Sequence, residues 1–257
     1  MVKNVFIKNR KGLKMAVRLN ISDNREKLVF LEHGLGARKE YPHMLVMEEA
    51  FAAHGYNVVN LDATNSNNES EKSKESITFS GQLHDLEDVI EWAKSQKFYT
   101  EPFALAGQSL GAEACVLYAG KSAERVRLLV SASFPWIDGE IEVKVNKRAE
   151  AILKNGYYDQ VSKSTGRVLR FYKNYLDDLK QYNLTDEIRQ IRANTYVIDG
   201  LLDTEYHIEN SKKLYEMLNC KKELFLLPGV PHDLANTPET KEIFTKTMQD
   251  ILSKENQ

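Results

Sequence analysis

The sequence predicts an α/β fold, a mostly parallel sheet flanked by helices and interrupted by one insertion. Two observations carry this expectation. Short apolar runs alternate with segments of helical periodicity along most of the chain. Several runs, such as Leu28-Val29-Phe30-Leu31, are continuously apolar, as strands buried on both faces are. The alternation stops at Ile137 and resumes after Ile191, which defines the insertion.

Taken in order, Val5–Lys8 and Leu13–Leu19 read as an opening pair of edge strands, and Leu28–Leu31 as a central strand. A helix from Met44 to His54 is stopped by Gly55 and followed by the strand Asn57–Leu61. Asp62 to Ser80 is polar and charged and reads as a long surface loop, with Glu69–Glu75 as a solvated face. Leu83, Leu86, Val89, Ile90 and Ala93 form a helical stripe. Phe103–Ala106 is a strand, Leu110–Ala119 a helix and Arg127–Val130 another strand. Within the insertion, helices are expected over Val145–Lys154 and Val168–Leu179. Sheet alternation returns with the strand Thr195–Ile198, a helix over Ser211–Leu218, the strand Leu224–Leu227 and a closing helix over Glu239–Leu252. The chain thus divides into a first core part, 1–136, a cap insertion, 137–191, and a second core part, 192–257.

With 257 residues, 42% hydrophobic and 28% charged, the chain has the composition of an ordinary globular domain. A formal net charge of −2 argues against a nucleic-acid partner. The N-terminal residues lack the apolar core of a signal peptide, and no apolar run approaches membrane-spanning length. The only cysteines, Cys115 and Cys220, are far apart, without metal-ligand spacing, and read as reduced thiols. A cytoplasmic protein without a membrane partner is the expectation; nothing in the sequence specifies an oligomeric state.

Ligands of such sheets bind beyond the carboxyl ends of the strands, so residues just after strands carry the functional argument. Gly107-Gln108-Ser109-Leu110-Gly111 lies between a predicted strand and a predicted helix. A serine hydroxyl is a weak nucleophile until a sharp turn presents it to a base and nearby N–H groups stabilise the resulting oxyanion. The alternative is a tight turn whose serine caps the helix. His33-Gly34-Leu35-Gly36 follows the strand Leu28–Leu31 and offers a second N–H, that of Leu35, beside that of Leu110; the His33 ring itself reads as structural. Asp203 follows the strand Thr195–Ile198 and suits a carboxylate that orients an imidazole, with Asp199 and Glu205 as rivals and a solvated turn as the bland reading. His232 lies in a loop after the last strand. His43, His54 and His84 sit on or beside predicted helices and read as half-exposed surface residues, whereas His207 follows Asp203 too closely to be oriented by it comfortably.

Together these motifs resemble the α/β-hydrolase superfamily of serine hydrolases over nearly the whole chain. The resemblance implies Ser109 as nucleophile, Asp203 as acid, His232 as base and the Leu35 and Leu110 N–H groups as an oxyanion hole, with no metal or organic cofactor. The stretch from Leu61-Asp62-Ala63-Thr64 through the helix near Trp92, with an insertion of this size, is similar to small bacterial esterases of the feruloyl and cinnamoyl branch. Those relatives have a glycine-rich loop after the Asp62 position and a histidine before the nucleophile, where this chain has Asn65-Ser66-Asn67-Asn68-Glu69 and Gln108. Trp136 is the candidate substrate-pocket residue, while Tyr157, Tyr158, Phe171, Tyr172 and Tyr175 read mainly as packing between insertion and sheet. The expected activity is cleavage of a small-molecule carboxylic ester with a short acyl or aryl group. A thioesterase, acyltransferase or small peptidase would use the same triad, and a non-catalytic binding protein would use the same scaffold. A membrane-surface lipase would need an amphipathic anchor that the sequence lacks.

Overall fold

A computed structural model describes residues 2–64, 68–72, 77–161 and 168–255, apart from the side chains of Glu205 and Tyr206. The sequence readings at Asn65–Asn67 and at part of Glu69–Glu75 therefore lie outside the described residues.

The elements run β1 (Val2–Lys8), β2 (Lys14–Asn20), β3 (Lys27–Glu32), α1 (Pro42–Ala53), β4 (Tyr56–Leu61), α2 (Phe79–Ala93), β5 (Phe103–Gln108), α3 (Leu110–Lys121) and β6 (Val126–Ala132). Next come α4 (Gly139–Val145), α5 (Lys147–Asn155), β7 (Tyr157–Val161), β8 (Val168–Tyr172), α6 (Lys173–Leu179) and α7 (Thr185–Gln190). The chain closes with β9 (Asn194–Gly200), α8 (Glu205–Met217), β10 (Lys222–Leu227) and α9 (Pro238–Lys254).

Eight strands form one sheet in the order β1-β2-β4-β3-β5-β6-β9-β10. The six from β4 to β10 are parallel, and the hairpin β1–β2 adds an antiparallel edge against β4. The continuous apolar runs are explained by helices on both faces. Along β3, Leu28 and Phe30 join the core shared with α2 and α3, while Val29 and Leu31 join the core under α1 and α9. Phe103 and Leu105 of β5 face the first core, Ala104 and Ala106 the second. No described helix is long and apolar enough to cross a membrane.

The connection from β3 crosses to β4 on one side, whereas β5 pairs on the other. The strand order therefore reverses between β3 and β5, and the carboxyl ends of these two strands open the crevice that such a reversal leaves.

The segment between β6 and β9 departs from expectation: α4, β7 and α7 were not expected, and one expected helix starts late. Val168–Tyr172 is not the start of a helix but strand β8, which pairs antiparallel with β7 in a separate two-stranded sheet. Leu169 and Phe171 are buried while Val168, Arg170 and Tyr172 are exposed, a two-residue period that only a strand produces. The helix begins afterwards, at Lys173.

Among the described residues of Glu69–Glu75, Glu69, Glu71 and Lys72 are exposed, in keeping with a solvated face, yet the loop is also tied inward. Glu69 pairs at 2.6 Å with Lys39, a fully buried lysine that Asp62 engages at 2.9 Å and Glu40 at 2.8 Å. Ser70 is buried and accepts from the Ala16 N–H.

Candidate active site

Ser109 separates β5 from α3 with φ 52° and ψ −124°, left-handed backbone that a residue with a Cβ adopts only under tertiary constraint. Its N–H donates to the Ala132 carbonyl of the neighbouring strand at 2.9 Å. The flanking glycines serve close approach rather than torsion. A Cβ at Gly111 would lie 2.3 Å from the Glu32 carbonyl oxygen, and one at Gly107 would lie 2.4 Å from that of Gly111. The start of α3 is thus pressed against the end of β3, and its unpaired first-turn N–H groups converge beside Ser109.

The loop after β3 reaches the same point. A Cβ added to Gly34 would stand 3.1 Å from the Ser109 Cβ. His33, 1% exposed, braces this loop: its Nδ1 donates to the Gly34 carbonyl at 2.7 Å, and its Nε2 accepts from the Ala63 N–H at 3.1 Å. Burial lowers the His33 pKa, which favours this neutral, two-sided bonding.

Asp203 follows β9 and shares its carboxylate between two histidines. Oδ2 accepts from His232 Nδ1 at 2.6 Å. Oδ1 accepts from His207 Nδ1 at 3.0 Å and from the Thr204 N–H at 2.6 Å. Burial opposes ionisation of Asp203, but the bonds from His207 and His232 outweigh it and hold the carboxyl below the usual carboxylate range. For His232 burial likewise works against charge, and the Asp203 bond and charge reverse it, raising the pKa. Because Nδ1 carries the proton toward Asp203, Nε2 is the ring nitrogen left to accept one.

The contact to His207 corrects the sequence reading. Thr204 caps α8, so Asp203 sits just before the helix and His207 in its first turn, and proximity in the chain helps the contact. The His207 and His232 rings lie 4.9 Å apart and inclined by 35°. Asp203, His207 and His232 also offer three potential metal-ligating atoms within 4.8 Å of one another. Asp199, the rival acid, is fully buried and faces away: it accepts from Ser211 Oγ at 2.6 Å and from the Gly200 N–H at 2.8 Å. Burial pushes its pKa up to about 6. The Glu205 side chain lies outside the described residues.

Three residues that hold the His232 loop escaped sequence reasoning as such. Gln108 Nε2 donates to the His232 carbonyl at 3.1 Å, joined by Ser133 Oγ at 3.3 Å. His43 is not a half-exposed surface residue but 2% exposed, and its Nδ1 donates to the Asp233 carbonyl at 3.0 Å. Burial lowers its pKa to about 4. A polar side chain immediately before the serine was a visible signal for Gln108; nothing local marks His43.

Leu35, Ser109, Leu110, Trp136, His207 and His232 line one cavity of about 560 Å³. Its far wall comes from the segment between β6 and β9, through Glu142, Asn146, Arg148, Tyr158, Gln160 and Tyr175. Trp136 is 2% exposed and packs edge-on against Phe79 at 5.3 Å, so it both lines the cavity and seats this segment on α2.

A family profile described as the alpha/beta hydrolase fold matches residues 27–148. Among solved structures, the chain is similar to the ferulic-acid-bound Est1E of Butyrivibrio proteoclasticus, with TM-score 0.83 and 20% identity, covering 97% of this chain and 98% of that one. It is similar to the esterase domain of a Rhodothermus marinus protein, with TM-score 0.70 and 20% identity, covering 98% and 97%. A third likeness is to the mouse alpha/beta hydrolase domain-containing protein 10, with TM-score 0.77 and 14% identity, covering 98% and 99%. No curated protein matches by sequence. The chain therefore has the α/β-hydrolase fold. Two of the structures that share it are named as esterases or carry ferulic acid.

Proposed function

We propose that the chain is a serine hydrolase that cleaves carboxylic esters of short acyl or aryl acids through an acyl-enzyme. One observation carries the reading: Ser109, presented on a strained strand-to-helix turn, shares a cavity with His232, whose other nitrogen is bound to a buried carboxylate.

In this reading His232 Nε2 takes the Ser109 proton as Oγ attacks the ester carbonyl. The N–H groups of Leu35 and Leu110 hold the oxyanion. Support comes from the closeness of Gly34 to Ser109 and from the place of Leu110 as the first residue of α3. His232 returns the proton to the leaving alcohol, then activates the water that releases the acid. Asp203 keeps the imidazole in the required tautomer and stabilises its cation. Residues 137–191 act as a cap that shapes the acyl pocket, with Trp136 at its base. Ester hydrolysis is favoured over thioester or peptide cleavage by the esterase likenesses.

A fluorophosphonate probe and a panel of aryl and alkyl esters test this together. The wild type should be labelled and turn over short or aryl esters, and Ser109→Ala should lose both while staying folded. Wild-type turnover in Ser109→Ala overturns the proposal. Labelling with activity confined to thioesters or peptides replaces the substrate class and keeps the triad.

A further inference from the structure

The wall facing the serine contains a cation without an ion-pair partner among the described residues. Arg148, on α5, lines the cavity shared by Ser109 and His232. Its guanidinium lies over the rings of Phe171 at 4.5 Å, Tyr175 at 5.5 Å and Tyr158 at 5.7 Å. Nη1 donates to the Tyr175 hydroxyl at 3.1 Å and Nη2 to Gln160 Oε1 at 2.9 Å. Nε is buried and has no hydrogen-bond partner. An arginine has five N–H donors, and these bonds engage two of them, both with neutral groups.

The carboxylates nearby do not neutralise it. Among the described residues, none comes within the 4.0 Å of an ion pair with Arg148. Glu142 lines the same cavity, but its carboxylate accepts from Asn146 Nδ2. Asp233 also lines it, on the His232 loop. Glu113, behind Tyr175, is fully buried, and burial pushes its carboxyl well up toward the neutral form. A half-buried cation among aromatic rings, with donors unspent, is costly until an anion enters, and the planar fork of arginine matches a carboxylate.

We propose that Arg148 is a specificity residue, and that the preferred substrates are esters whose acyl group carries a carboxylate at its far end. This rests on the ester-hydrolase reading for the reaction but not for the binding. With the carbonyl at Ser109, the acyl chain crosses the cavity and its terminal carboxylate meets the free Nη hydrogens of Arg148. The flanking rings cover the chain. A purely structural Arg148, joining β7 to α6 through Gln160 and Tyr175, would affect stability without reading substrate charge.

The test compares mono-4-nitrophenyl adipate with 4-nitrophenyl hexanoate, which differ in the terminal carboxylate. Wild type should favour the adipate ester in kcat/KM. Arg148→Gln should lower the adipate-to-hexanoate ratio by about 10- to 100-fold, the worth of a hydrogen bond to a charged group. Arg148→Lys, which keeps the charge and loses the fork, should fall between. An unchanged ratio in folded Arg148→Gln overturns the proposal. If that variant does not fold, wild type decides: free adipate should inhibit hexanoate-ester cleavage more than free hexanoate does, and less so at high salt, and equal inhibition overturns it. Calorimetry with monoethyl adipate and Ser109→Ala separates binding from reaction. Binding of the monoester but not of diethyl adipate supports the subsite even if no ester is turned over. Equal binding of both rejects the subsite even if esters are cleaved.

Discussion

The side-chain amide of Gln108 donates to the backbone carbonyl of His232 at 3.1 Å, so the residue before the serine holds the loop that carries the histidine. The same amide packs against the loop after β3: a Cβ at Gly34 would come within 2.5 Å of Gln108 Oε1. One side chain therefore spaces three loops that belong to different strands, and the Ser109 turn, the Leu35 loop and the His232 loop are fixed as a unit.

Replacing Gln108 with leucine should loosen that unit while leaving Ser109, Asp203 and His232 chemically intact. A misplacement of about 1 Å at reacting groups costs roughly 100-fold in rate. The expected result is a kcat lower by about 10- to 100-fold with KM little changed, read from steady-state ester hydrolysis. A kcat within about twofold of wild type would show that Ser133 and His43 hold the loop without Gln108.

Most of the sheet was legible because its central strands are continuous apolar runs and its helices carry apolar stripes. Leu28–Leu31 is apolar at every position because both faces are covered, and the stripe from Leu83 to Ala93 marks one helical face. Strand β8 was not, because Val168-Leu169-Arg170-Phe171-Tyr172 has apolar residues at outward as well as inward positions, and the exposed Val168 and Tyr172 hide the two-residue period. That Ser109, Asp203 and His232 each follow a strand was readable, and the structure brings Asp203 and His232 into contact. The contact of His43 with Asp233 joins residues 190 positions apart and has no local signature. Its burial follows from the packing of α1 near the His232 loop, which only the fold supplies.

The two aspartates after β9 should separate cleanly. Asp203→Asn keeps the shape but favours the wrong His232 tautomer, and should depress turnover by roughly 10⁴-fold, as in the serine-protease triad. Asp199→Asn touches neither histidine and should act through stability, by disturbing its bonds to Ser211 and the Gly200 N–H. Acylation rates and denaturant midpoints of both variants distinguish the roles. A larger rate loss in Asp199→Asn would move the acid to that position.

His207 draws on the same carboxylate as His232, so its removal should strengthen what His232 feels. The groups around His232 are Asp203, Asp199, Asp233, His43 and His207. His207→Gln takes away the imidazole bound to Asp203, which leaves more of the carboxylate's charge for His232 and raises the His232 pKa. Since the base acts only when neutral, the acid limb of the kcat/KM profile should move to higher pH, by roughly 0.5 unit. A shift toward lower pH would mean that His207 strengthens Asp203 as a partner instead of competing for it.

His43 links the site to acid stability. Burial lowers its pKa to about 4 in the folded chain, against about 6.5 for an unfolded histidine. Between those values the unfolded state binds a proton that the folded state does not, so His43 stabilises the fold above about pH 6.5, and this is lost as pH falls toward 4. Asp199 works the other way in part of this window, because its pKa is raised to about 6 and its protonated form is favoured by folding. The total pH dependence of the wild type therefore mixes opposing slopes, and the informative quantity is a difference between two proteins. His43→Asn places an amide near the Nδ1 position, where it can still donate to the Asp233 carbonyl, and does not titrate. Relative to wild type, this variant should gain on the order of 3 kcal/mol as pH is lowered from 6.5 to 4, whatever Asp199 contributes to both. Urea midpoints measured at half-unit steps across that range provide the check. A difference that stays flat with pH would show that His43 is protonated in the folded chain, and that the Asp233 loop tolerates a cation beneath it.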